Sequence, residues 1–286
     1  RQIDHYLAKE LTMGLLDSPE FMTYIGIFDK YNAVLKHNQK LSIRTLEDGD
    51  EDYQDSLDHL SMLKRYDSSK LTDIQKVTQK IAIFDAENNI NEFENFRYHS
   101  YPFNQIGGNH LGLVEFMTDT HPVRNLREAS DYIKRVEKFD ESLSANLIWL
   151  EEQKKLGIFA PKYVFDHVIT QLKELIAYED SDNPLMQVFA RKVDALDIDE
   201  QKSEELKTAL SAVIASDVKS GFKSILGFFE SNYEYANTNH GVWSLPNGDA
   251  FYEARLRSYT TTDYSAEEIH QICLLYTSDA ADEGLG

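Results

Sequence analysis

The residues best suited to bind a ligand are concentrated in one stretch near the carboxyl end of the chain. Residues 239–252 read Asn-His-Gly-Val-Trp-Ser-Leu-Pro-Asn-Gly-Asp-Ala-Phe-Tyr, which places aromatic rings and hydrogen-bond donors in a loop with glycine and proline. A loop of this composition is suited to gripping a peptide-like or carboxylate ligand. Arg255 can form two parallel hydrogen bonds to a carboxylate. The predicted substrate-binding residues are His240, Trp243, Tyr252, Arg255 and Tyr259.

The same loop also has a purely structural interpretation. Trp243 and Tyr252 would then anchor the loop in its own domain, and Asn247-Gly248 would form a turn. The sequence leaves the two interpretations of this loop open.

A second candidate ligand-binding segment is the glycine pair in Gly107-Gly108-Asn109. Adjacent glycines either free backbone amides for a ligand or form a tight bend that permits close packing. The bend is the favoured interpretation. For Gln105 and His110, the sequence does not separate a buried hydrogen bond from a substrate contact.

The nine histidines do not form a recognisable metal-binding motif. No His-Glu-x-x-His occurs, and no glycine-rich phosphate loop ends in Lys-Ser or Lys-Thr. Glu267 and His270 have the spacing used in di-iron helical bundles, but such a site needs a second copy of the pair. Asp55 and His59 share one face of a helix and are interpreted as a surface pair. No catalytic residue and no metal ligand is therefore predicted within this chain.

The charge and hydropathy of the chain exclude two classes of protein. Lys and Arg total 29 against 49 Asp and Glu, a formal net charge of -20 over 286 residues, so nucleic acid is not an expected partner. No run approaches the ~20 apolar residues needed to cross a bilayer, so no transmembrane segment is predicted. The upstream segment that would reveal a leader is expected to be missing, which leaves the compartment open between the exported or cell-envelope and cytoplasmic alternatives.

The apolar periodicity is helical along most of the chain, which predicts an all-α, multi-helix array. Asn125 with Glu128 predicts one helix start, and Gly157 predicts the end of the helix over residues 143–156. Pro161 predicts another start, and residues 200–235 predict one long helix or two stacked end to end. Ser265 with Glu268 predicts the start of a final helix.

One apolar stripe predicts a buried helix face in the first third of the chain. Its members recur at steps of three and four and are Leu71, Ile74, Val77, Ile81 and Phe84. Residues at this spacing lie on one side of a helix, so we expect that side to face the core.

The last fourteen residues, 273–286, are predicted to be a non-native, adapter-derived tail. Codons allowed for Cys-Leu-Leu-Tyr-Thr-Ser-Asp-Ala-Ala-Asp-Glu, residues 273–283, reproduce a sequence that resembles the mosaic end of a transposase-based sequencing adapter. The tail contains the single cysteine, Cys273, so the remaining chain is expected to contain no disulfide and no cysteine metal site.

Several strings in the sequence together carry a resemblance to a known family. The strongest are Gly-Val-Trp-Ser-Leu-Pro-Asn-Gly-Asp-Ala-Phe-Tyr at 241–252, Leu-Arg-Ser-Tyr-Thr-Thr-Thr-Asp at 256–263 and Ser-Ala-Glu-Glu-Ile-His-Gln at 265–271. Gln-Ile-Gly-Gly-Asn at 105–109, His121-Pro122 with the helix at 131–135, and Gly-Ile-Phe-Ala-Pro at 157–161 support the resemblance. Together these strings resemble one bacterial family, catalogued as domain of unknown function eight hundred and eighty-five, and the resemblance covers roughly residues 3–272.

This resemblance implies a helical, gluzincin-like zinc metallopeptidase fold whose zinc is held by a His-Glu-x-x-Pro-Gly-His-His type motif and a downstream acidic ligand. None of the nine histidines here matches those positions. Residues 1–272 are therefore predicted to be the N-terminal helical part of one large peptidase-like domain. No cofactor is expected in this fragment, although zinc is implied for the full-length parent.

The predicted function follows from the resemblance and from the missing motif. The chain is expected to contribute a cleft wall and substrate contacts to a zinc-dependent peptidase, and to be inactive alone. Its expected partners are the peptide substrate of the parent and the C-terminal half of its own chain. The alternative is a non-catalytic helical module for binding or interaction.

Overall fold

The computed structural model describes residues 2–283, with side chains through residue 276, and this part of the chain is helical. No β-strand occurs within the described residues, so the predicted all-α, multi-helix class is confirmed. Residues 284–286 of the predicted adapter-derived tail lie outside the described residues. The α-helices are α1 (Gln2–Leu16), α2 (Pro19–Ile25), α3 (Asn32–Leu35), α4 (Leu46–Lys64), α5 (Asp73–Phe96), α6 (Asn109–Glu115), α7 (Leu126–Val136), α8 (Phe139–Lys155), α9 (Lys162–Ala177), α10 (Pro184–Asp194), α11 (Glu200–Val213), α12 (Lys219–Ser231), α13 (Gly248–Thr260) and α14 (Ala266–Glu283).

The chain forms two compact units. Unit 1 comprises Arg1–Asp50 and Ser100–Thr238, and unit 2 comprises Glu51–His99 and Asn239–Gly286. A continuous apolar core fills unit 1, built mainly from α7 to α12. Its fully buried large side chains include Tyr132, Phe139, Leu143, Phe165, Phe189, Phe222 and Phe229.

The helix boundaries of unit 1 follow local sequence signals. The side chain of Asn125 accepts a hydrogen bond from the backbone amide of Glu128 at 3.1 Å and so caps α7. Gly157 follows α8 with a φ of 70°, a left-handed conformation that favours glycine. Pro161 precedes α9, and Asn183 caps α10. The predicted boundaries at Asn125, Gly157 and Pro161 are confirmed.

The long apolar run predicted over residues 200–235 forms α11 and α12, which are joined without a break. A single turn of π-helix at Ile214–Val218 connects them. A π turn contains one residue more than the α-helix would use, which shifts the faces of the two flanking helices relative to each other.

Arg135 of α7 joins the amino-terminal segment of unit 1 to the core. It is fully buried and donates to the carbonyl oxygen of Lys40 at 2.7 Å, to His121 Nδ1 at 3.0 Å, to Thr23 Oγ1 at 3.1 Å and to the carbonyl oxygen of His37. Burial lowers its pKa to about 10, so the guanidinium stays charged at neutral pH. The side chain therefore satisfies several acceptors of residues 23–40 at once.

Asp131, one turn before Arg135, holds the same segment from the other side. Its carboxylate accepts from Asn32 Nδ2 at 2.8 Å and from Gln39 Nε2 at 2.7 Å. Both ends of residues 32–40 are thus fixed to α7 by hydrogen bonds to charged groups, which are stronger than neutral ones.

Three buried histidines of unit 1 are held neutral. Burial, followed by the charge of Arg135, lowers the pKa of His37 and lowers that of His121 well below 6.5. Burial also lowers the pKa of His110. His37 Nε2 lies 3.9 Å from Asp29 Oδ1, but a neutral ring at that distance forms neither an ion pair nor a hydrogen bond.

In unit 2, the first turn of α5 is closed by a reciprocal capping box between Thr72 and Gln75. One turn later, Gln79 Nε2 donates to the carbonyl oxygens of Leu63 and Tyr66, each at 2.9 Å. Gln79 is buried and satisfies carbonyls that the end of α4 leaves without intrahelical partners.

The prediction that the stripe from Leu71 to Phe84 forms a buried helix face is wrong. Ile74, Val77 and Ile81 are 80%, 58% and 56% exposed. The buried residues of α5 are instead Gln79, Ala86 and Phe96. The carbonyls at the end of α4 need a donor, and the side that carries Gln79 supplies it, so the isoleucines turn away.

The apolar core of unit 2 is small. Phe251 of α13 lies against Phe96 with ring centroids 5.5 Å apart and against His99 at 4.9 Å. His99 Nε2 lies 2.7 Å from the carbonyl oxygen of Pro246, which ties residues 245–251 to the end of α5. The predicted Ser265 and Glu268 capping box before α14 is confirmed by reciprocal hydrogen bonds of 2.8 and 3.3 Å.

Candidate functional site

Three of the predicted substrate-binding residues form an exposed row on α13. Tyr252, Arg255 and Tyr259 are spaced by three and four residues, so they share one face of the helix. Tyr252 and Tyr259 are 46% and 77% exposed. We call these three residues the α13 row.

Arg255 connects the row to α5. Its Nη2 donates to the hydroxyl of Tyr259 at 3.1 Å, and its guanidinium lies 5.0 Å from the centroid of that ring. Its Nη1 contacts Glu92 Oε2 at 3.4 Å. These contacts orient the guanidinium and leave further N–H donors for a ligand carboxylate.

The other two predicted residues precede α13. Trp243 lies in a 3-10 turn, Val242–Ser244, and is 70% exposed, with its ring so close to Gly241 that a Cβ on that glycine would collide with it. His240 is exposed. The loop is attached to unit 2 by the buried side chains of Leu245 and Phe251.

The predicted Asn247-Gly248 turn introduces α13. Asn247 has a φ of 51°, a left-handed conformation that asparagine tolerates better than most residues. Gly248 follows it at a point where a Cβ would collide with the carbonyl of Val242. The bend therefore requires glycine at position 248, and asparagine suits position 247.

A polar pocket of about 560 Å³ lies in unit 2 on a different flank of α13 from the row. It lies between α5, α13 and the segment that leads into α14, and we call it the asparagine pocket. Its polar lining comes from Asn91, Asn95, Asn247, Glu253, Arg257, Thr262, Asp263, Tyr264 and Ser265. No sequence motif pointed to this pocket, although Asn91 and Asn95 lie one helical turn apart on α5.

Some polar groups in the asparagine pocket are paired and others are not. Asn95 Nδ2 donates to Asn91 Oδ1 at 2.9 Å, and Arg257 Nε donates to Asp263 Oδ1 at 3.0 Å. Within the described structure, the side chains of Asn247 and Glu253 have no hydrogen-bond or ion-pair partner. The pocket therefore presents an amide and a carboxylate to solvent.

The glycine pair of unit 1 forms a tight bend. A Cβ on Gly108 would lie 2.6 Å from the backbone nitrogen of Asn104, so only glycine fits. His110 is buried with its Nε2 2.9 Å from Gln171 Oε1, and Gln171 Nε2 donates to the carbonyl oxygen of Gln105 at 3.1 Å. His110 and the backbone of Gln105 thus take part in a partly buried hydrogen-bond network.

The residues present do not fit the zinc that the family resemblance implies. Among the described residues, no group of three or more His, Cys, Asp or Glu side chains is placed to hold a metal ion. His270 is exposed on α14, and Glu267 accepts from Gln271 Nε2 at 2.7 Å. In the described part of the chain, no helix is long and apolar enough to cross a membrane.

Comparison with known proteins identifies the family. Residues 19–280 match the family described as bacterial protein of unknown function (DUF885). The chain belongs to this family. No curated protein matches the chain with significant similarity.

This DUF885 chain also resembles a solved structure. The crystal structure of a "putative lipoprotein" from Colwellia psychrerythraea matches with a TM-score of 0.78 and 18% sequence identity. The match covers 93% of this chain and 48% of that one, so the chain spans about half the length of that protein. At this identity the likeness concerns the fold alone.

Proposed function

We propose that this DUF885 chain is the N-terminal, peptide-contacting part of a zinc-dependent peptidase whose metal motif lies outside these residues. The proposal combines the motif resemblance to gluzincin-like enzymes with the α13 row. The row is the observation that carries it, because two exposed tyrosines flank an arginine that is already oriented by Glu92 and Tyr259.

The row suits a peptide for chemical reasons. Its arginine can bind a carboxylate through paired hydrogen bonds, and its tyrosine rings offer apolar faces together with polar hydroxyls. Such rings also lose little conformational entropy on binding. His240 and Trp243 precede the same helix and are proposed to contact the peptide as well.

Peptide binding tests this role. A fluorescein-labelled hexapeptide with a free C-terminal carboxylate should bind the chain, and Arg255→Met should weaken binding about tenfold, since a charge-assisted hydrogen bond contributes roughly 1.5 kcal/mol or more. The matched control is Arg127→Met, a change of the same type at another helical arginine, which should leave binding unchanged. Equal binding by the wild type and Arg255→Met would exclude the row as the carboxylate contact.

The chemistry of hydrolysis is not assigned to these residues. A zinc peptidase needs metal ligands, an activated water and a general base. We expect the isolated chain neither to bind zinc one-to-one nor to cleave peptides. Stoichiometric zinc in the purified chain, measured by atomic emission, or cleavage of a peptide library would contradict this assignment.

A non-catalytic binding module is the second candidate function. It is favoured by the absence of a metal-holding group among the described residues. The full-length gene, recovered from the source genome and read beyond the codons of residue 272, separates the two candidates. A His-Glu-x-x-Pro-Gly-His-His type motif there supports the peptidase, and a full-length gene without one supports the binding module.

A further inference from the structure

We propose that the asparagine pocket of unit 2 binds an extended peptide segment that carries a basic side chain. The inference rests on the proposed function for the class of ligand, but it concerns a different set of residues from the α13 row. The observation that carries it is that Asn91 and Asn95 of α5 line the same pocket as Glu253 of α13, whose carboxylate has no partner in the described structure.

The spacing of the asparagines matches an extended backbone. Asn91 and Asn95 are four residues apart, which corresponds to about 6 Å along a helix axis. Residues i and i+2 of an extended chain are about 6.6 Å apart and present their backbone groups in the same direction. An asparagine amide can donate to a backbone carbonyl or accept from a backbone N–H. A peptide lying along α5 can therefore be bound at alternate residues.

A hydrogen bond between the two asparagines also orients their side chains for binding. The hydrogen bond from Asn95 Nδ2 to Asn91 Oδ1 fixes both side chains on the pocket face, and in the described structure it leaves Asn91 Nδ2 as a donor for a ligand. Asn95 Oδ1 is an available acceptor. The pair thus exposes one donor and one acceptor, which can bind a C=O and an N–H group on the same side of an extended peptide.

The charges of the pocket favour a basic side chain. Arg257 is paired with Asp263, and it also bonds Asn88. Glu253 has no cation of its own in the described structure. A lysine or arginine in the ligand would supply the missing partner. An uncharged saccharide would use the amides but would gain nothing from this carboxylate.

The size of the pocket agrees with this ligand. A volume of about 560 Å³ lies within the range of roughly 300–1,000 Å³ typical of ligand sites and accommodates a few residues of peptide. Tyr264, 52% exposed at the rim, offers a ring against which the aliphatic stem of a lysine can pack.

Fluorescence anisotropy with three labelled, C-terminally amidated hexapeptides tests the inference. One carries a central lysine, one an alanine and one a glutamate. We expect the lysine peptide to bind most tightly and the glutamate peptide most weakly. Glu253→Gln should weaken the lysine peptide about two- to fivefold and leave the alanine peptide unchanged, as expected for a solvent-exposed ion pair. Asp85→Asn, at an exposed position of α5, is the matched charge control.

The backbone contact is tested by the double variant Asn91→Ala, Asn95→Ala. It should weaken all three peptides about tenfold, because hydrogen bonds to every peptide backbone are lost. Asn89→Ala, on the opposite side of α5, should change nothing. Circular dichroism of each variant shows whether it is folded.

Two outcomes would contradict the proposal that the asparagine pocket binds a basic peptide. One is a double variant that binds as the wild type does while Arg255→Met loses binding, which leaves the proposed function intact. The other is a pocket that binds maltohexaose in an Asn91-dependent manner and no peptide. Conversely, peptide binding that depends on Asn91 and Glu253 but not on Arg255 would support the pocket and remove the α13 row from the proposed function.

Discussion

Unit 1 and unit 2 achieve stability in different ways. Unit 1 surrounds an apolar core of 28 buried residues and adds a buried arginine that binds backbone carbonyls. Among the side chains described for unit 2, through residue 276, few apolar ones are buried: Leu63, Ala86, Phe96, Leu245 and Phe251. Much of the apolar surface of α5 and α14 in unit 2 faces outward.

This difference suggests that unit 1 is a rigid scaffold and that unit 2 carries the binding surfaces. Side chains in a dense core have little freedom, whereas elements with few buried contacts open at lower free-energy cost and adapt to ligands. The α13 row and the asparagine pocket both belong to the unit with the smaller core. Each unit contains one tryptophan, Trp149 in unit 1 and Trp243 in unit 2, so the two units can be followed separately.

The largest expected effect is that of Arg135→Ala in unit 1. The substitution leaves the carbonyls of Lys40 and His37 and the hydroxyl of Thr23 without their buried donor, and each unsatisfied group costs about 1–3 kcal/mol. We expect unit 1 to lose about 3 kcal/mol or more of unfolding free energy. Urea titration followed by Trp149 fluorescence in a Trp243→Phe background measures it. Lys134→Ala, an exposed neighbour, is the control, and a loss below about 1 kcal/mol would contradict the role of Arg135.

Acid should weaken unit 1 before unit 2. His37, His110 and His121 have folded-state pKa values below the ordinary 6.5, so the unfolded chain binds protons more readily than the folded one. Their stabilising contribution is complete above pH 6.5 and is lost as the pH falls below it. Urea midpoints between pH 7.5 and 5.5, read from each tryptophan, check this. A midpoint for Trp149 that does not move would refute it.

In unit 2, Gln79→Ala should have a moderate effect. Two carbonyls at the end of α4 lose their donor, which corresponds to about 1–3 kcal/mol. Trp243 fluorescence in a Trp149→Phe background reports the loss, and Lys80→Ala on the exposed side of α5 is the control. If both variants unfold at the same urea concentration, the hydrogen bonds of Gln79 do not stabilise unit 2.

The smallest effect is expected for Ile81→Ser. Its side chain is 56% exposed, and surface substitutions usually change stability by no more than about 0.5 kcal/mol. Sedimentation velocity should show less self-association, because an apolar surface is removed. A destabilisation above about 2 kcal/mol would indicate that Ile81 is buried, as the apolar periodicity predicts.

Local rules predicted most of the helical architecture. Asn125, Gly157, Pro161 and the Ser265–Glu268 pair act within one turn of the chain, so the sequence alone reveals their role. The orientation of α5 was missed because it depends on carbonyls of another helix. Periodicity ranks Ile81 above Gln79 for burial, but it contains no information on which carbonyls lack a donor.

The range over which a sequence pattern acts also explains why only part of the candidate site was predicted. Tyr252, Arg255 and Tyr259 share a face of one helix, and spacing alone places them together. The asparagine pocket joins residues 91–95 to residues 247–265, and no local pattern relates segments so far apart. The pair Asn91 and Asn95 was the available signal, because asparagine has a low helix propensity and two of them lie one turn apart in the last part of α5.

The turn of π-helix between α11 and α12 has a consequence for the evolution of this chain. Leu210 and Phe222 are twelve residues apart and would point about 120° away from each other on an uninterrupted α-helix, yet both are buried. With one residue fewer, the angle falls to about 20°, so Ile214–Val218 has the character of a single-codon insertion absorbed without repacking. Deleting Ser216, which is exposed, should yield a straight helix with the same inward side chains, and related genes are expected to differ in length at this point.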